Sequence, residues 1–302
     1  MTEGSTTEGP FGQTPSPPEV ATAAASALFL GYSAPMPGVD SRYSDGTAAH
    51  ETRLLGVPAL AGAVSGAATR TVGETVLEAI LGSHSVSGRA DLRAAGYLAP
   101  LARTALLGER VGKVLAGLSH EDARLFVQAL ETVGPGHLGG ALEGALNIAL
   151  GAGRSATLRD AMRFAAERDP MAREYARDFE VTRELARPAL FAALARLEAA
   201  RPAFVQAYLE VLAEAPDLDV ASRAGRKEAE EVSRMANGVL KAGGVSSRRG
   251  LQGITNLDGI LRTDRRLSPS ATEPPVIAAA FLISLEYGSD FLNYRVRPAP
   301  GR

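Results

Sequence analysis

The residues best suited to chemistry begin in a loop-like stretch, SAPMPGVDSRYSD, at positions 33–45. Its two prolines cannot continue a helix, and Gly38 allows the backbone to turn sharply or to approach a ligand. Two interpretations are open. The stretch is either a rigid connection between helices with solvated charges or a nucleotide-binding loop. In the second case the Gly38 amide and Arg42 would meet phosphate, and Asp45 would hold a metal or a ribose hydroxyl.

A second polar segment, ERDPMAREYARDF at positions 167–179, surrounds a proline break. Arg173 and Arg177 lie four residues apart, so they share one face of a helix. That face is either solvated, with ion pairs to neighbouring acids, or an arginine clamp on a polyphosphate. Under the second interpretation the candidate ligands are Arg168, Asp169, Arg173 and Tyr175.

The most basic window of the chain runs from residue 241 to residue 266 and carries arginines at 248, 249, 262, 265 and 266. It is either a surface loop or an anion-binding rim. The four histidines have no metal-ligand spacing, and cysteine is absent. The sequence therefore excludes thiolate metal sites and a cysteine nucleophile, and it contains no P-loop and no G-x-S-x-G elbow.

The elements that must position these residues are helices, because helical periodicity dominates the chain and β-branched residues are sparse. Patterns of the capping-box type predict helix starts at Thr71, Ser119 and Thr157. Glycines predict helix ends at 31, 82, 134–136, 243–244 and 288. We predict helices over 19–32, 52–65, 72–82, 97–117, 120–132, 139–150, 157–168, 170–197, 201–213, 219–241, 251–263 and 275–292.

The predicted fold is therefore all-α, a single domain of ten or more short helices. Residues 1–18 are rich in Gly, Ser, Thr and Pro and predict a disordered lead-in. Residues 19–293 form the helical domain, and 294–302 a loose tail.

Composition narrows the class of protein further. The 302 residues carry a formal charge of −2, which gives no general attraction to nucleic acid or to an anionic membrane. The longest apolar stretches, Ala21–Leu30 and Val276–Leu285, are too short to span a bilayer. No targeting segment is visible. We expect a soluble cytoplasmic protein that binds neither nucleic acid nor membrane, and its oligomeric state stays open.

Taken together, several segments resemble the triphosphoribosyl-dephospho-CoA synthase family, that is, the ATP:dephospho-CoA triphosphoribosyl transferases. The resemblance runs over roughly residues 20–287 and rests on the order and spacing of the segments. It is strongest in SAPMPG…SRYSD (33–45), TVGETVLEAI (71–80), YLAPLA (97–102), SHEDARLFVQAL (119–130), LRDAMRFAAERDPMAREYARDF (158–179), RAGRKEAEEVSRMANGVL (223–240) and LSPSATEPPVIAAAFLISLE (267–286).

The resemblance implies an enzyme that transfers the triphosphoribosyl group of ATP onto 3′-dephospho-CoA, or a related nucleotide, and releases adenine. The product is a precursor of an acyl-carrier prosthetic group, and Mg²⁺ is the implied companion of ATP. Such a reaction needs cations for two polyanions and a carboxylate for the proton of the attacking hydroxyl. The implied catalytic and metal residues are Asp45 and Asp169. The implied phosphate- or nucleotide-binding residues are Gly38, Arg42, Asp91, Arg168, Arg173 and Tyr175.

Departures from the family pattern fall in three loops. Met36 stands where the family loop P-K-P-G has lysine, GRADLR (88–93) replaces T-N-T-N-L-G, and SPSATEP (268–274) replaces N-P-G-T-T-A-D. The charges new to the second loop, Arg89, Asp91 and Arg93, indicate a rebuilt pocket. The alternative prediction is thus a relative with altered or lost catalysis, acting as a nucleotide-binding or protein-interaction module. Under either prediction we expect residues 33–45, 88–93 and 168–175 to meet around one cavity.

Overall fold

The computed structural model describes residues 14–43, 48–134, 140–151, 156–288 and 292. Over these residues the chain is α-helical and contains no strand, which confirms the predicted fold class. Short turns of π-helix (Val181–Ala186) and 3₁₀-helix (Gly244–Ser246, Arg265–Leu267) join some of the helices. The α-helices are α1 (Pro17–Ser33), α2 (Ala48–Ser65), α3 (Val72–Ser87), α4 (Leu92–Leu107), α5 (Val111–Ala116), α6 (His120–Val133), α7 (Gly140–Gly151), α8 (Leu158–Ala165), α9 (Pro170–Ala176), α10 (Arg187–Leu197), α11 (Ala200–Glu214), α12 (Leu218–Arg223), α13 (Arg226–Lys241), α14 (Arg248–Thr263) and α15 (Glu273–Tyr287).

The three helix starts predicted from capping boxes are confirmed. At α3 the Thr71 hydroxyl accepts from the Glu74 N–H at 3.2 Å, and the Glu74 carboxylate accepts from the Thr71 N–H at 2.7 Å. Helices α6 and α8 begin in the same way at Ser119 and Thr157. Each box satisfies two backbone donors that the first turn of a helix otherwise leaves without partners.

Two glycines predicted to end helices lie inside them instead. Gly31 is within α1, where an added Cβ would lie 2.4 Å from Cγ1 of Ile277, so its missing side chain lets α1 pack closely on α15. Gly82 lies within α3, where an added Cβ would be 3.2 Å from the Cβ of Ala59 on α2. Helix α3 ends at Gly88, in the left-handed conformation. Gly31 and Gly82 therefore serve helix packing, whereas Gly88 ends a helix.

Three predicted helices are interrupted by residues with positive φ, which cannot continue a right-handed helix. Gly108 divides 97–117, Asp178 and Phe179 divide 170–197, and Gly225 divides 219–241.

Helix α15 is buried along most of its length and organises the interior. Every residue from Glu273 to Ser284 is buried, and α15 packs against α1, α4 and α10. Its first residue, Glu273, is therefore a carboxylate held inside the protein at a helix N-terminus. Within the described part of the chain, no helix has both the length and the apolar character needed to cross a bilayer.

Helix α1 begins at Pro17, just inside the predicted lead-in. Most of the predicted lead-in and tail lies outside the described residues, so those domain boundaries stay a prediction.

Candidate active site

The described residues form a cavity with a volume of about 800 Å³. This is within the range of small-molecule sites, which runs from about 300 to about 1,000 Å³. Among its described lining residues, six arginines face three carboxylates, so the cavity favours an anionic ligand. The charged lining residues are Arg53, Arg89, Arg93, Arg223, Arg262, Arg265, Asp40, Asp91 and Glu273.

One wall of the cavity is a hydrogen-bonded group of Tyr32, Arg53, Asp91 and Glu273, which we call the carboxylate cluster. Nη2 of Arg53 lies 3.0 Å from Oδ2 of Asp91 and 2.8 Å from Oε2 of Glu273. Nη1 of Arg53 donates to Oε1 of Glu273 at 3.1 Å, so that pair is bidentate. The Tyr32 hydroxyl donates to Oδ2 of Asp91 at 2.9 Å, and the Arg53 guanidinium lies 3.7 Å from the centre of the Tyr32 ring. Each residue of the carboxylate cluster is thus hydrogen-bonded to at least one other member.

Four helices position this cluster. Tyr32 stands near the end of α1, Arg53 on α2 and Glu273 at the first position of α15. Asp91 is the N-cap of α4, and its Oδ1 accepts from the Ala94 N–H at 2.9 Å. Because each residue comes from a different helix, only the packed domain can assemble the group.

The two carboxylates of the cluster have different affinities for protons. Burial raises the pKa of Glu273 above its ordinary value, although Arg53 opposes the shift. Burial also disfavours the charged form of Asp91, but Arg53, the Ala94 amide and the Tyr32 hydroxyl together lower its pKa. Two carboxylates with pKa values displaced in opposite directions are typical of sites that divide proton transfer from charge stabilisation. Glu273 is the better proton acceptor of the two.

A second group of cavity residues joins α4, α12 and the turn before α15. Arg93, Arg223 and Ser270 line the cavity and Asp219 lies behind them; we call the four residues the arginine wall. Nη2 of Arg93 donates to Oδ1 of Asp219 at 3.0 Å. The Ser270 hydroxyl donates to Oδ2 of Asp219 at 2.7 Å and accepts from Nη1 of Arg223 at 3.1 Å. Burial disfavours the charged form of Asp219, but Arg93 lowers its pKa. The positive charge of Arg93 is therefore balanced by Asp219.

The loop predicted to bind nucleotide is tied to α14 at the cavity rim. The Gly38 N–H donates to Oδ1 of Asp258 at 2.8 Å, and the Gly38 carbonyl accepts from the Ser268 hydroxyl at 2.6 Å. Arg262 donates to the Val39 carbonyl at 2.8 Å and pairs with Asp258 at 2.8 Å. The Gly38 amide is thus used within the protein, and its φ of +75° requires glycine.

Arg223 has no carboxylate partner among the described residues, but its guanidinium donates to the Ser270 hydroxyl and the Ser268 carbonyl. The exposed guanidinium groups of Arg89 and Arg265 also have no carboxylate partner among the described residues. Of the arginines around this cavity, they are the ones whose charge is most available to a ligand. Arginine binds phosphate oxygens in a bidentate manner, so these two side chains suit a phosphate group.

The structure brings together part of the predicted site. Gly38 and Asp91 both line the cavity, so the first and second predicted segments meet as expected. Arg42 is exposed beside Tyr43, its guanidinium carbon 5.4 Å from that ring's centre, and is not among the lining residues. Asp45 lies outside the described residues, and its predicted role stays a prediction.

The third predicted segment does not reach the cavity. Arg168 is exposed elsewhere, and Asp169 is buried as the N-cap of α9. Tyr175 is buried in the core, where its hydroxyl donates to the Gly96 carbonyl at 2.7 Å. Arg173 lines a separate space of only about 30 Å³. Their predicted binding and catalytic roles therefore gain no support from the geometry.

Sequence reasoning missed Tyr32, Arg53, Glu273 and Asp219. Arg53 and Tyr32 lie within helical patterns that carry no signal of function. Glu273 lies in SPSATEP, one of the three loops that depart from the family pattern, and residues from all three loops line the cavity. Of the five arginines in the basic window at 241–266, Arg262 and Arg265 line the cavity and the other three do not. The interpretation of this window as an anion-binding rim therefore applies to those two residues. Met36, at the position of the family lysine, is fully buried in the core.

A metal site made of protein side chains alone can be checked only over the described residues, which do not include Asp45. Within the described ranges, no group of three or more His, Cys, Asp or Glu side chains is arranged to hold a metal ion. Asp169 accepts a helix-capping hydrogen bond from the Ala172 N–H at 2.9 Å and lies outside the cavity.

The fold and the cavity together define an all-α protein with a positively charged site of a size suited to a small phosphorylated ligand. The family model described as ATP:dephospho-CoA triphosphoribosyl transferase (CitG) matches residues 17–291. The chain belongs to this family of transferases, which confirms the resemblance seen in the sequence.

One solved structure, from Archaeoglobus fulgidus, is of a protein provisionally named triphosphoribosyl-dephospho-CoA synthase. It matches with a TM-score of 0.54 and 21% identity, over 80% of this chain and 96% of that one. At this identity the likeness shows a shared fold. Comparison with curated proteins gives no match.

Proposed function

We propose that this protein transfers the triphosphoribosyl group of ATP onto 3′-dephospho-CoA, or a closely related nucleotide, with release of adenine. The observation that carries the proposal is the cavity, which is lined by six arginines and three carboxylates. The pKa values of two of these carboxylates, Asp91 and Glu273, are displaced in opposite directions. Family membership supplies the class of reaction. Two polyanionic substrates need positive charge, and the transfer of a pentosyl group needs a carboxylate at the reacting carbon.

In the proposed reaction the acceptor's ribose 2′-oxygen attacks C1′ of ATP. A C–O bond forms, and the bond from C1′ to the adenine nitrogen breaks. The hydroxyl proton passes to a carboxylate base, and adenine leaves with the bonding electron pair and takes up a proton. Positive charge develops at the ribose ring as that bond breaks, as it does in glycoside cleavage.

We assign the base to Glu273, because burial raises its pKa and so makes it the stronger proton acceptor of the pair. Asp91 has a lowered pKa and stays ionised, so its fixed charge can stabilise the positively charged ribose. Arg53 holds both carboxylates in place through contacts of 2.8–3.1 Å. These assignments replace Asp169 as the proposed base.

The phosphates are proposed to bind the exposed arginines that line the cavity. Arg89 and Arg265 have no described carboxylate partner and can pair with phosphate oxygens. Mg²⁺ is proposed to accompany the ATP phosphates, since Mg²⁺ sites commonly use one or two carboxylates together with substrate phosphates. No step above passes through the metal. A cytoplasmic location also stays a proposal.

The direct test is to incubate the protein with Mg-ATP and dephospho-CoA. Chromatography should show free adenine, and mass spectrometry a product that carries the added triphosphoribosyl group. Glu273→Gln should lower kcat at least about a hundredfold, the lower end of what a general base contributes. The matched control is Glu286→Gln, which removes an arginine-paired carboxylate from the far end of the same helix and should leave turnover unchanged. Absence of adenine at high enzyme concentration, beside an active relative, would refute the proposal.

The alternative, a nucleotide-binding relative without catalysis, is separated by thermal unfolding. A ligand that binds only the native state raises Tm by mass action. A Tm increase with ATP but no adenine release would support the alternative. No increase with either substrate would count against nucleotide binding altogether.

A further inference from the structure

A buried carboxylate behind the cavity, that of Asp217, joins two segments that carry active-site residues. Its Oδ1 accepts from the N–H groups of Asp219 and Val220, both at 3.0 Å. Its Oδ2 accepts from the Ala271 N–H at 2.9 Å and from the Thr272 hydroxyl at 2.8 Å. One side chain therefore holds two parts of the chain that are distant in sequence.

The two oxygens bind different segments of the chain. Oδ1 caps α12, the helix that carries Asp219 and Arg223. Oδ2 holds the turn that carries Ser270 and leads directly into Glu273. Asp217 is therefore a buried link between α12 and the segment that leads to the proposed base, in addition to the hydrogen bonds that Ser270 makes to Asp219 and Arg223.

The Thr272 hydroxyl shows that this contact is more than a helix cap. Thr272 occupies the N-cap position of α15, yet its side chain makes no capping hydrogen bond to its own helix. It donates to Asp217 instead. A residue needed only to begin α12 would use Oδ1 alone, so the second oxygen serves the turn before α15.

We propose that Asp217 is a positioning residue, which sets the spacing between Glu273 and the arginine wall without touching substrate. The expected change in kcat rests on the proposed function, whereas the expected change in hydrogen exchange rests on the geometry alone. A carboxylate that accepts four hydrogen bonds cannot be replaced by an amide of the same shape, because the amide NH₂ would face N–H and O–H donors.

The test compares Asp217→Asn with Asp122→Asn. Asp122 is a matched control because it is also buried and also joins two segments away from the cavity. Its Oδ1 accepts from the Gly73 N–H at 2.7 Å and its Oδ2 from Ser119. Hydrogen exchange measured by mass spectrometry should show peptides covering 268–274 exchanging at least about tenfold faster in Asp217→Asn, the effect of losing one charge-assisted hydrogen bond. Asp122→Asn should accelerate exchange near residues 73 and 119 and leave exchange at 268–274 unchanged.

The kinetic readout separates positioning from general stability. Asp217→Asn should lower kcat for adenine release about tenfold to a hundredfold with a smaller change in the KM for ATP, because misplacement costs mainly the chemical step. Asp122→Asn should leave both constants within about twofold of wild type. Thr272→Ser should keep wild-type kcat and Thr272→Ala should lower it, because only serine retains the hydroxyl.

Unchanged exchange at 268–274, or wild-type kcat in Asp217→Asn, would overturn the inference. If the wild-type protein releases no adenine, the proposed function fails by itself. In that case, the exchange data and the Tm increase with ATP still decide whether Asp217 organises the cavity. If Asp217→Asn keeps the wild-type exchange rate at 268–274 and the wild-type Tm increase with ATP, the positioning role of Asp217 is rejected.

Discussion

The ion pair between Arg53 and Glu273 should be strongly coupled in a double-mutant cycle. The relevant proteins are wild type, Arg53→Met, Glu273→Gln and the double variant. The two side chains are only 21% and 9% exposed, and their atoms meet at 2.8 Å and 3.1 Å. These contacts put the charge centres about 4 Å apart, which is worth about 4 kcal/mol at an effective dielectric constant of about 20.

Removing Arg53 alone should cost about 3–5 kcal/mol of unfolding free energy, because it leaves Glu273 and Asp91 without their cation. In the double variant only Asp91 is left charged, so part of the loss should be recovered. We expect a coupling energy of about 2–4 kcal/mol, below the full Coulomb value because water reaches part of the Arg53 side chain.

The assay is urea unfolding at pH 7 followed by far-ultraviolet circular dichroism, which suits a chain without tryptophan. The control is the same cycle on Arg187 and Glu286, whose side chains are 34% and 30% exposed. That pair should couple by less than about 1 kcal/mol, the usual value for exposed pairs. A coupling below about 0.5 kcal/mol for Arg53 and Glu273 would refute the reasoning that Arg53 anchors the carboxylate cluster.

Three further predictions concern stability and binding. Burial raises the pKa of Glu174 from 4.5 to about 8, so this group stabilises the fold fully below pH 4.5 and loses that effect as pH rises through 8. Relative to Glu174→Gln, wild type should lose about 4–5 kcal/mol across that window in urea titrations; parallel curves would contradict this. Gly73→Ala places a Cβ 2.7 Å from the α6 backbone and should cost at least about 2 kcal/mol. Gly62→Ala meets nothing within 4 Å and should be neutral or stabilising in the same unfolding assay. Arg265→Gln should raise the KM for ATP about tenfold with kcat little changed, whereas the Arg266→Gln control should not; equal KM values would remove Arg265 from the phosphate site.

Local sequence predicted the helices well wherever the signal was local. The capping boxes at Thr71, Ser119 and Thr157 place a hydroxyl and a carboxylate within one turn, so each start could be identified from four residues. Glycine was an ambiguous signal because this residue type can either end a helix or allow two helices to pack closely. Gly88 ends a helix, whereas Gly31 allows Ile277 to approach, and only the partner helix tells them apart.

The candidate site was predictable only in part. The loops at 33–45, 88–93 and 268–274 stood out because they depart from helical pattern or from the family sequence, and residues from all three line the cavity. The segment 168–175 looked equally polar, but its Asp169 caps a helix and its Tyr175 is in the core. The polarity of a segment does not by itself show whether its side chains face the cavity.

The sequence by itself determined that this protein is all-helical and belongs to its transferase family, because periodicity, caps and the order of segments are properties of the chain. Only the tertiary structure decided that Arg53 would neutralise Asp91 and Glu273, which are 38 and 220 residues away from it along the chain. Contacts at such separations depend on how α2, α4 and α15 pack. The charges of the site, and the pKa values that follow from them, exist only once that packing has excluded water.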